Sequence, residues 1–363
     1  FRDRPDPWRD RLEKLKAADV NTITTYIPWR HHLRLEGDRL SYDFAGETKD
    51  SRDVVTFLET VASLGFYLIL KPGPFVHSEL NVGGLPDYVC PSYTPEQPPA
   101  RRHHGKPAVW TYDASQLPAP FDERFDGLVK DWFTAVRKVI APHCGQDKPL
   151  IGIQLVDETI YCTSNDAPWH IGYEPSGVRY FHGLLRERYG DVDAYNRLHG
   201  TSYASLAMVP GPKLLPLDGS KKAADAVPRA AADVLRYVDW ADYQWRYRRD
   251  LYERYKNYLD VGVPHLTNYA GITPPIEENV PDLQDDAVED LPEDFRRLYS
   301  EWWFAMNRVD TDVDVHEYGM ISWLGVAAYD RAVFDRYTNT ARRARGINME
   351  ENWGFAKLYD ARS

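Results

Sequence analysis

Short, nearly all-apolar runs alternate with amphipathic segments along most of this chain, and that alternation limits its folds more than any other feature. The run "NTITTYIPW" is rich in β-branched residues and stops at Pro28. "FYLILKPGPF" is apolar almost throughout and closes on Pro-Gly-Pro, and Leu150 to Val156 forms a third such run. Each follows a helix-like stretch. "WRDRLEKLKAADV" carries apolar residues at Leu12, Leu15 and Ala18 with charges opposite, and "SRDVVTFLETVASLG" has Ser51 as a candidate N-cap and Gly65 as a stop. "FDERFDGLVKDWFTAVRKVIAP" leads into the third run. Strands apolar on both faces belong in a parallel sheet covered by helices.

The same grammar continues. A loop dense in Pro and Gly spans Leu80 to Pro120, and a helical region runs from about Ser176 to Asp260, broken near Val209 to Asp218. Three further strands are expected in "VPHLTNYAG", "TDVDVHEYG" and "RGINMEENWG", separated by helices near Asp294 to Asn307 and Tyr329 to Arg345. Residues with functional chemistry follow many different strands: Tyr26, Glu79, Glu158, Asn268, Glu317 and Glu350. A closed α/β architecture, the (β/α)8 TIM barrel, brings all such strand ends around one mouth. No glycine-rich phosphate loop follows the first strand, which weighs against a nucleotide-binding fold. With Phe1-Arg2 counted as a stub of the first barrel strand, Glu158 falls on the fourth and Glu350 on the seventh. Residues 1–363 then read as an incomplete barrel, truncated around strands one and eight. A helical insertion occupies about 160–262, between strands four and five. The sequence is therefore expected to be an excerpt of a longer polypeptide.

A net charge of -11 argues against nucleic acid or an anionic membrane as a partner. The three cysteines, Cys90, Cys144 and Cys162, form no disulfide framework and no metal-type pairing. The chain opens on "FRDRPDPW" without a charged-then-apolar leader, so a cytoplasmic location is the expectation. Self-association into a homo-oligomer stays open. The 11 Trp, 24 Tyr and 13 Phe suit either sugar binding, where a ring stacks on an apolar sugar face, or a large aromatic core.

The run from Leu150 ends abruptly in two adjacent acids, Asp157 and Glu158. Neighbouring carboxylates raise each other's cost of ionising, which marks either a solvated loop or a working site. Cleaving a glycosidic bond with retention needs two carboxyl groups about 5–5.5 Å apart, one nucleophile and one proton donor. Glu158 and Glu350 qualify if a barrel brings them together. Glu79, in a stiff Pro- and Gly-bounded turn, can accept bonds from sugar hydroxyls or simply cap a helix. Tyr26 is core or pocket wall. Glu317 in "HEYG" is a rival acid, and Glu301 in "YSEWWFAM" reads as structural. The pairs His31-His32 and His103-His104 hint weakly at metal ligation, without the further spaced ligands a site needs. "CTSND" lacks the strand-to-helix elbow of a serine hydrolase.

With these residues in view, the chain resembles the family 35 glycoside hydrolases, the β-galactosidase family, with kinship to family 42 in the same clan. "WRDRLEKLKAADVNTITTYIPWRHHL" is similar to the family's WxDRLxKxKAxGxNTxxTYxPWNxHE, and "LILKPGPFVHSELNVGGLPDYV" to its ILRPGPYxxAEWxxGGxPxWL. "IGIQLVDETIY" is similar to QxENEYG, while "YNRLHGTSYASL" and the "TNY" containing Asn268 resemble the looser family 42 pattern. The resemblance implies a (β/α)8 catalytic domain followed by β-rich domains, and a retaining mechanism with no cofactor and no metal. It implies Glu158 as acid/base, with Tyr26, Ser78 and Glu79 lining the terminal-sugar subsite and Asn268 among the substrate contacts. It puts the nucleophile on the seventh strand, where Glu350 fits an E-x-x-x-G arrangement. Glu351 is an adjacent alternative, and Glu317 requires a strand count shifted by one.

The departures bear on the substrate. The family's ENE reads Val156-Asp157-Glu158 here, and "HHLR" departs from NxHE at Arg30 and Leu33. The replaced Asn ordinarily bonds the sugar 2-hydroxyl. An Asp accepts without donating and would pair with a 2-ammonium by a charge-assisted bond. The family includes exo-β-D-glucosaminidases acting on chitosan oligosaccharides, and the resemblance to them implies that Asp157 reads carbon 2. The expectation is a retaining exo-β-glycosidase acting on β-D-glucosamine, with β-D-galactose as the alternative sugar. A catalytically inactive carbohydrate-binding relative is the alternative of another class.

Overall fold

The structure, a computed structural model, describes residues 5, 7–37, 39–76, 80–102, 105–110, 113–155, 171–211, 231–269, 313–317 and 347–349. Six strands form one wholly parallel sheet in the order β1 (Thr22–Tyr26), β4 (Tyr67–Gly73), β5 (Leu150–Leu155), β6 (His265–Tyr269), β7 (Val313–Glu317) and β8 (Ile347–Met349). Sequential strands are spatial neighbours throughout, as right-handed crossovers of a parallel α/β unit produce. An antiparallel hairpin, β2 (Leu33–Glu36) and β3 (Arg39–Tyr42), branches off after β1. The hairpin was not legible in advance because its strands are only four residues each.

Helices α1 (Trp8–Ala17), α3 (Val54–Ser63) and α4 (Glu123–Ile140) occupy the expected stretches. The N-cap of α3 is Asp53, whose carboxylate accepts the Thr56 N–H at 2.9 Å, and not Ser51, which lies in a preceding 3-10 turn. The carboxylate is the better acceptor for the unpaired donors of a first turn. On α4, Asp122 caps the start, and Phe125, Val129, Trp132, Phe133, Val136 and Ile140 form one buried stripe. This is the helical period of an amphipathic helix laid on a sheet. Trp132 stacks on Trp29 of the short helix α2 (Trp29–His32) at 5.9 Å between centroids, and its Nε1 donates to the Pro72 carbonyl at 2.9 Å. That contact anchors the end of β4.

Between β5 and β6 come α5 (Pro175–Tyr189), α6 (Val192–His199) and the long α7 (Ala231–Leu259). Helices α5 and α6 end at Gly190 (φ 77°) and Gly200 (φ 66°), glycines of positive φ. Of the break expected near Val209 to Asp218, residues 209–211 are non-helical while 212–218 lie outside the described residues. Helix α7 packs against α4 and presents Tyr243, Tyr247, Leu251, Tyr252 and Tyr255 to the core. Much of the aromatic excess is therefore core. No helix among the described residues is long and apolar enough to cross a membrane.

Candidate active site

All six strands of the large sheet run the same way, so their carboxyl ends lie on one edge. Tyr26 ends β1, and its register partner on β4 is Lys71. The Ile27 N–H extends the pairing by donating to the Lys71 carbonyl at 2.9 Å. Side chains of register partners in adjacent parallel strands share a face. The Lys71 ammonium accordingly sits over the Tyr26 ring, 4.9 Å from its centroid. On the next strand Ile153 pairs with Leu70, and the register shifts before Gly73 meets Leu155. Lys71 is 8% exposed and Gln154 3%. Thr25, Tyr26 and Leu70 line a cleft against Trp8, Phe57 and Leu58 of α1 and α3. Tyr26 and Lys71 therefore form a register pair at this edge, with buried Gln154 near the end of β5.

Two loops at this edge are tied together. Arg30, just beyond β1, donates through Nε to the Leu85 carbonyl at 3.0 Å and forms an ion pair with Asp87. In the loop after β4, Phe75 meets Trp110 edge to face at 5.2 Å, and Trp110 Nε1 donates to the Leu80 carbonyl at 2.9 Å. The Val76 N–H donates to the Gly83 carbonyl, and the Val82 N–H to the Asp113 carboxylate. Val82 and Gly83 hold left-handed backbone (φ 51° and 60°), which lets the chain double back beneath the Phe75 ring. Both flanks of Ser78 and Glu79 are thus fixed, while Ser78 and Glu79 themselves lie outside the described residues.

Asp157 and Glu158 also lie outside them, as do Glu350, Glu351, Glu301 and the His103-His104 pair. The chain leaves the sheet at Leu155 and is held again from Ile171, which bridges to Arg102. Tyr173 N–H donates to the Arg101 carbonyl, and Arg101 N–H to the Glu174 carboxylate at 3.0 Å. Glu174 also accepts from the Tyr247 hydroxyl, and burial pushes its pKa up. Asn268 is placed on β6 opposite Val315 of β7, and Glu317 ends β7 opposite Met349, the residue before Glu350 in sequence.

The His31-His32 pair belongs to the scaffold. His32 is 1% exposed and shares a hydrogen bond through Nδ1 with the Asp43 carbonyl at 2.8 Å; burial holds its pKa down to about 3. Its ring stacks on Phe44 and Trp132. Among the described residues no group of His, Cys, Asp and Glu could hold a metal ion. Two residues, and the role of a third, escaped the reading of the sequence. Lys71 and Gln154 carry a signal that could have found them: each is a lone polar residue inside an apolar strand, "LILK" and "LIGIQ". The loop-tying role of Arg30 carries none, because its partners are more than fifty residues away in sequence.

A parallel α/β sheet with polar residues at its carboxyl edge defines the class of α/β enzyme scaffold in which sites are built from loops after strands. A solved structure of the catalytic domain of β-amylase from Paenibacillus polymyxa shares this fold, with a TM-score of 0.59 and 14% identity over 96% of this chain and 82% of that one. The sequence model of glycosyl hydrolases family 35 matches residues 1–95. An exo-β-D-glucosaminidase of Thermococcus kodakarensis is 30% identical over 294 residues, which is 74% of this chain and 32% of that protein. The β-galactosidase-1-like protein 2 of Homo sapiens is 43% identical over 89 residues, 24% of this chain and 13% of that protein. These matches support an assignment to glycosyl hydrolase family 35. It spans about a third of the length of the archaeal relative.

Proposed function

We propose that the protein is a retaining exo-β-glycosidase, that its sheet is part of a (β/α)8 barrel, and that its substrate is a terminal β-D-glucosaminide. The observation carrying this reading is the single carboxyl edge of the parallel sheet. Tyr26 lies there beside Lys71, and the strands preceding Glu158 and Glu350 both end there. Glu350 attacks the anomeric carbon while Glu158 protonates the departing glycosidic oxygen. Glu158 then takes a proton from water, the water oxygen bonds to the anomeric carbon, and Glu350 is freed. Tyr26, Ser78, Glu79 and Asn268 line the terminal subsite. Asp157 pairs with the 2-ammonium, and its charge holds the proton on Glu158.

Two things favour glucosamine: the Asp at 157, and the identity to a glucosaminidase along 74% of the chain. β-D-Galactose is the second reading, favoured by the higher local identity to a β-galactosidase-like protein. The test is proton NMR of the first-formed sugar from the full-length protein, with Glu158→Gln and Glu350→Gln alongside. A β-anomer formed first, and a loss of 10³-fold or more in kcat in both variants, support the reading. An α-anomer formed first, or an unchanged Glu350→Gln, overturns the assignment of Glu350 as nucleophile.

A further inference from the structure

We infer that Lys71 is a positioning residue that sets the charge of the sugar site and thereby its discrimination between cationic and neutral sugars. The inference rests on the glycosidase reading above. Lys71 is an ammonium almost wholly enclosed at the carboxyl end of a parallel strand, 8% exposed, where an apolar side chain would pack at lower cost. Three features fix its place. It is in register with Tyr26, its backbone carbonyl accepts from Ile27, and the next residue, Pro72, is pinned by the Trp132 indole. Its Nζ faces the Tyr26 ring, so the cation and the ring orient one another. Gln154, 3% exposed, is a second buried polar residue near the carboxyl end of the adjacent strand β5.

The site proposed at this edge is rich in carboxylates: Glu79, Asp157, Glu158 and Glu350. A cation held at the same sheet edge would offset part of that charge, because its field reaches several ångströms where water is scarce. A neutral sugar is indifferent to this field to first order. A 2-ammonium sugar is not, because Lys71 opposes it while the carboxylates attract it. Removing the charge at 71 should therefore favour the cationic sugar selectively, whereas moving it onto a guanidinium should not. A role in packing alone would weaken both substrates together.

The experiment measures kcat and KM of the full-length protein on aryl β-D-glucosaminide and aryl β-D-galactoside, for wild type, Lys71→Met, Lys71→Gln and Lys71→Arg. Thermal unfolding of each variant identifies any that fail to fold. The expected result is a glucosaminide-to-galactoside ratio of kcat/KM raised roughly 3- to 10-fold in the folded neutral variants. The rise should come mainly through a lower KM for the glucosaminide, and Lys71→Arg should stay within twofold of wild type. An unchanged ratio in the neutral variants, or an equal change in Lys71→Arg, overturns the inference and leaves the glycosidase reading intact. If none of the neutral variants folds while Lys71→Arg does, Lys71 is a structural ion and the inference is likewise overturned. A folded wild type inactive on both substrates overturns the glycosidase reading and this inference together.

Discussion

Two glycines with the same φ and different surroundings separate strain from packing at the proposed site. Gly37 and Gly83 both have φ of +60°. A methyl group added at Gly37 would meet nothing within 4 Å, whereas at Gly83 it would lie 2.0, 2.5 and 2.6 Å from Cε2, Cδ2 and Cζ of Phe75. That ring cannot simply step aside. Phe75 is 1% exposed and set edge-on against Trp110, itself bonded to the Leu80 carbonyl. Both alanine variants carry the left-handed strain of an L-residue, about 1 kcal/mol. Gly83→Ala adds the cost of overpacking, ~1–3 kcal/mol. Urea unfolding of the full-length protein should therefore show a loss of about 1 kcal/mol for Gly37→Ala and ~2–4 kcal/mol for Gly83→Ala. Gly83→Ala should also lower kcat/KM, because the displaced ring pushes on Trp110, whose indole holds the Leu80 carbonyl beside Glu79 in sequence. Equal losses in the two variants would refute the claim that Phe75 holds this loop.

Three further outcomes follow from the described contacts. The folded pKa of His32, about 3, lies below its unfolded value of about 6.5, so the unfolded chain takes up that proton first. Stability from neutral His32 is complete above pH ~6.5 and declines as pH falls toward 3; the unfolding midpoint measured between pH 7 and 4 should drop less steeply in His32→Phe. Trp132→Ala removes a wholly buried ring stacked on Trp29 and the bond to Pro72, and calorimetry should register a loss of roughly 3–5 kcal/mol. Arg30→Ala unties the loop after β1 from the loop after β4. Limited proteolysis should then cut faster within residues 80–89, while an unchanged cleavage rate would show that Phe75 and Trp110 suffice to hold it.

The sheet was legible because its strands announce themselves. Runs such as "FYLILK" and "LIGIQL" are too apolar for a one-sided sheet, and the helices between them keep a clear 3.6-residue period. Strand order followed from that alternation, and the described strands agree with it from β1 to β8. What escaped was short or distant. The β2–β3 hairpin has too few residues for a period to show. The cap of α3 moved from Ser51 to Asp53 because both residues suit the role and only three-dimensional reach decides. The Tyr26–Lys71 pair was half legible: Lys71 stands out within its strand, but only register shows that it lies beside Tyr26. The proposed catalytic carboxylates came from their chemistry and a family resemblance, and the strand ends that precede them are what the fold contributes.

The central claim is that Asp157 reads a 2-ammonium beside the proton donor Glu158. Its most direct test is kcat/KM of the full-length protein on aryl β-D-glucosaminide and aryl β-D-galactoside, with Asp157→Asn measured beside the wild type. The account predicts a wild-type preference for the glucosaminide that collapses or reverses in the variant. A wild-type preference for the galactoside, little altered by Asp157→Asn, would contradict it.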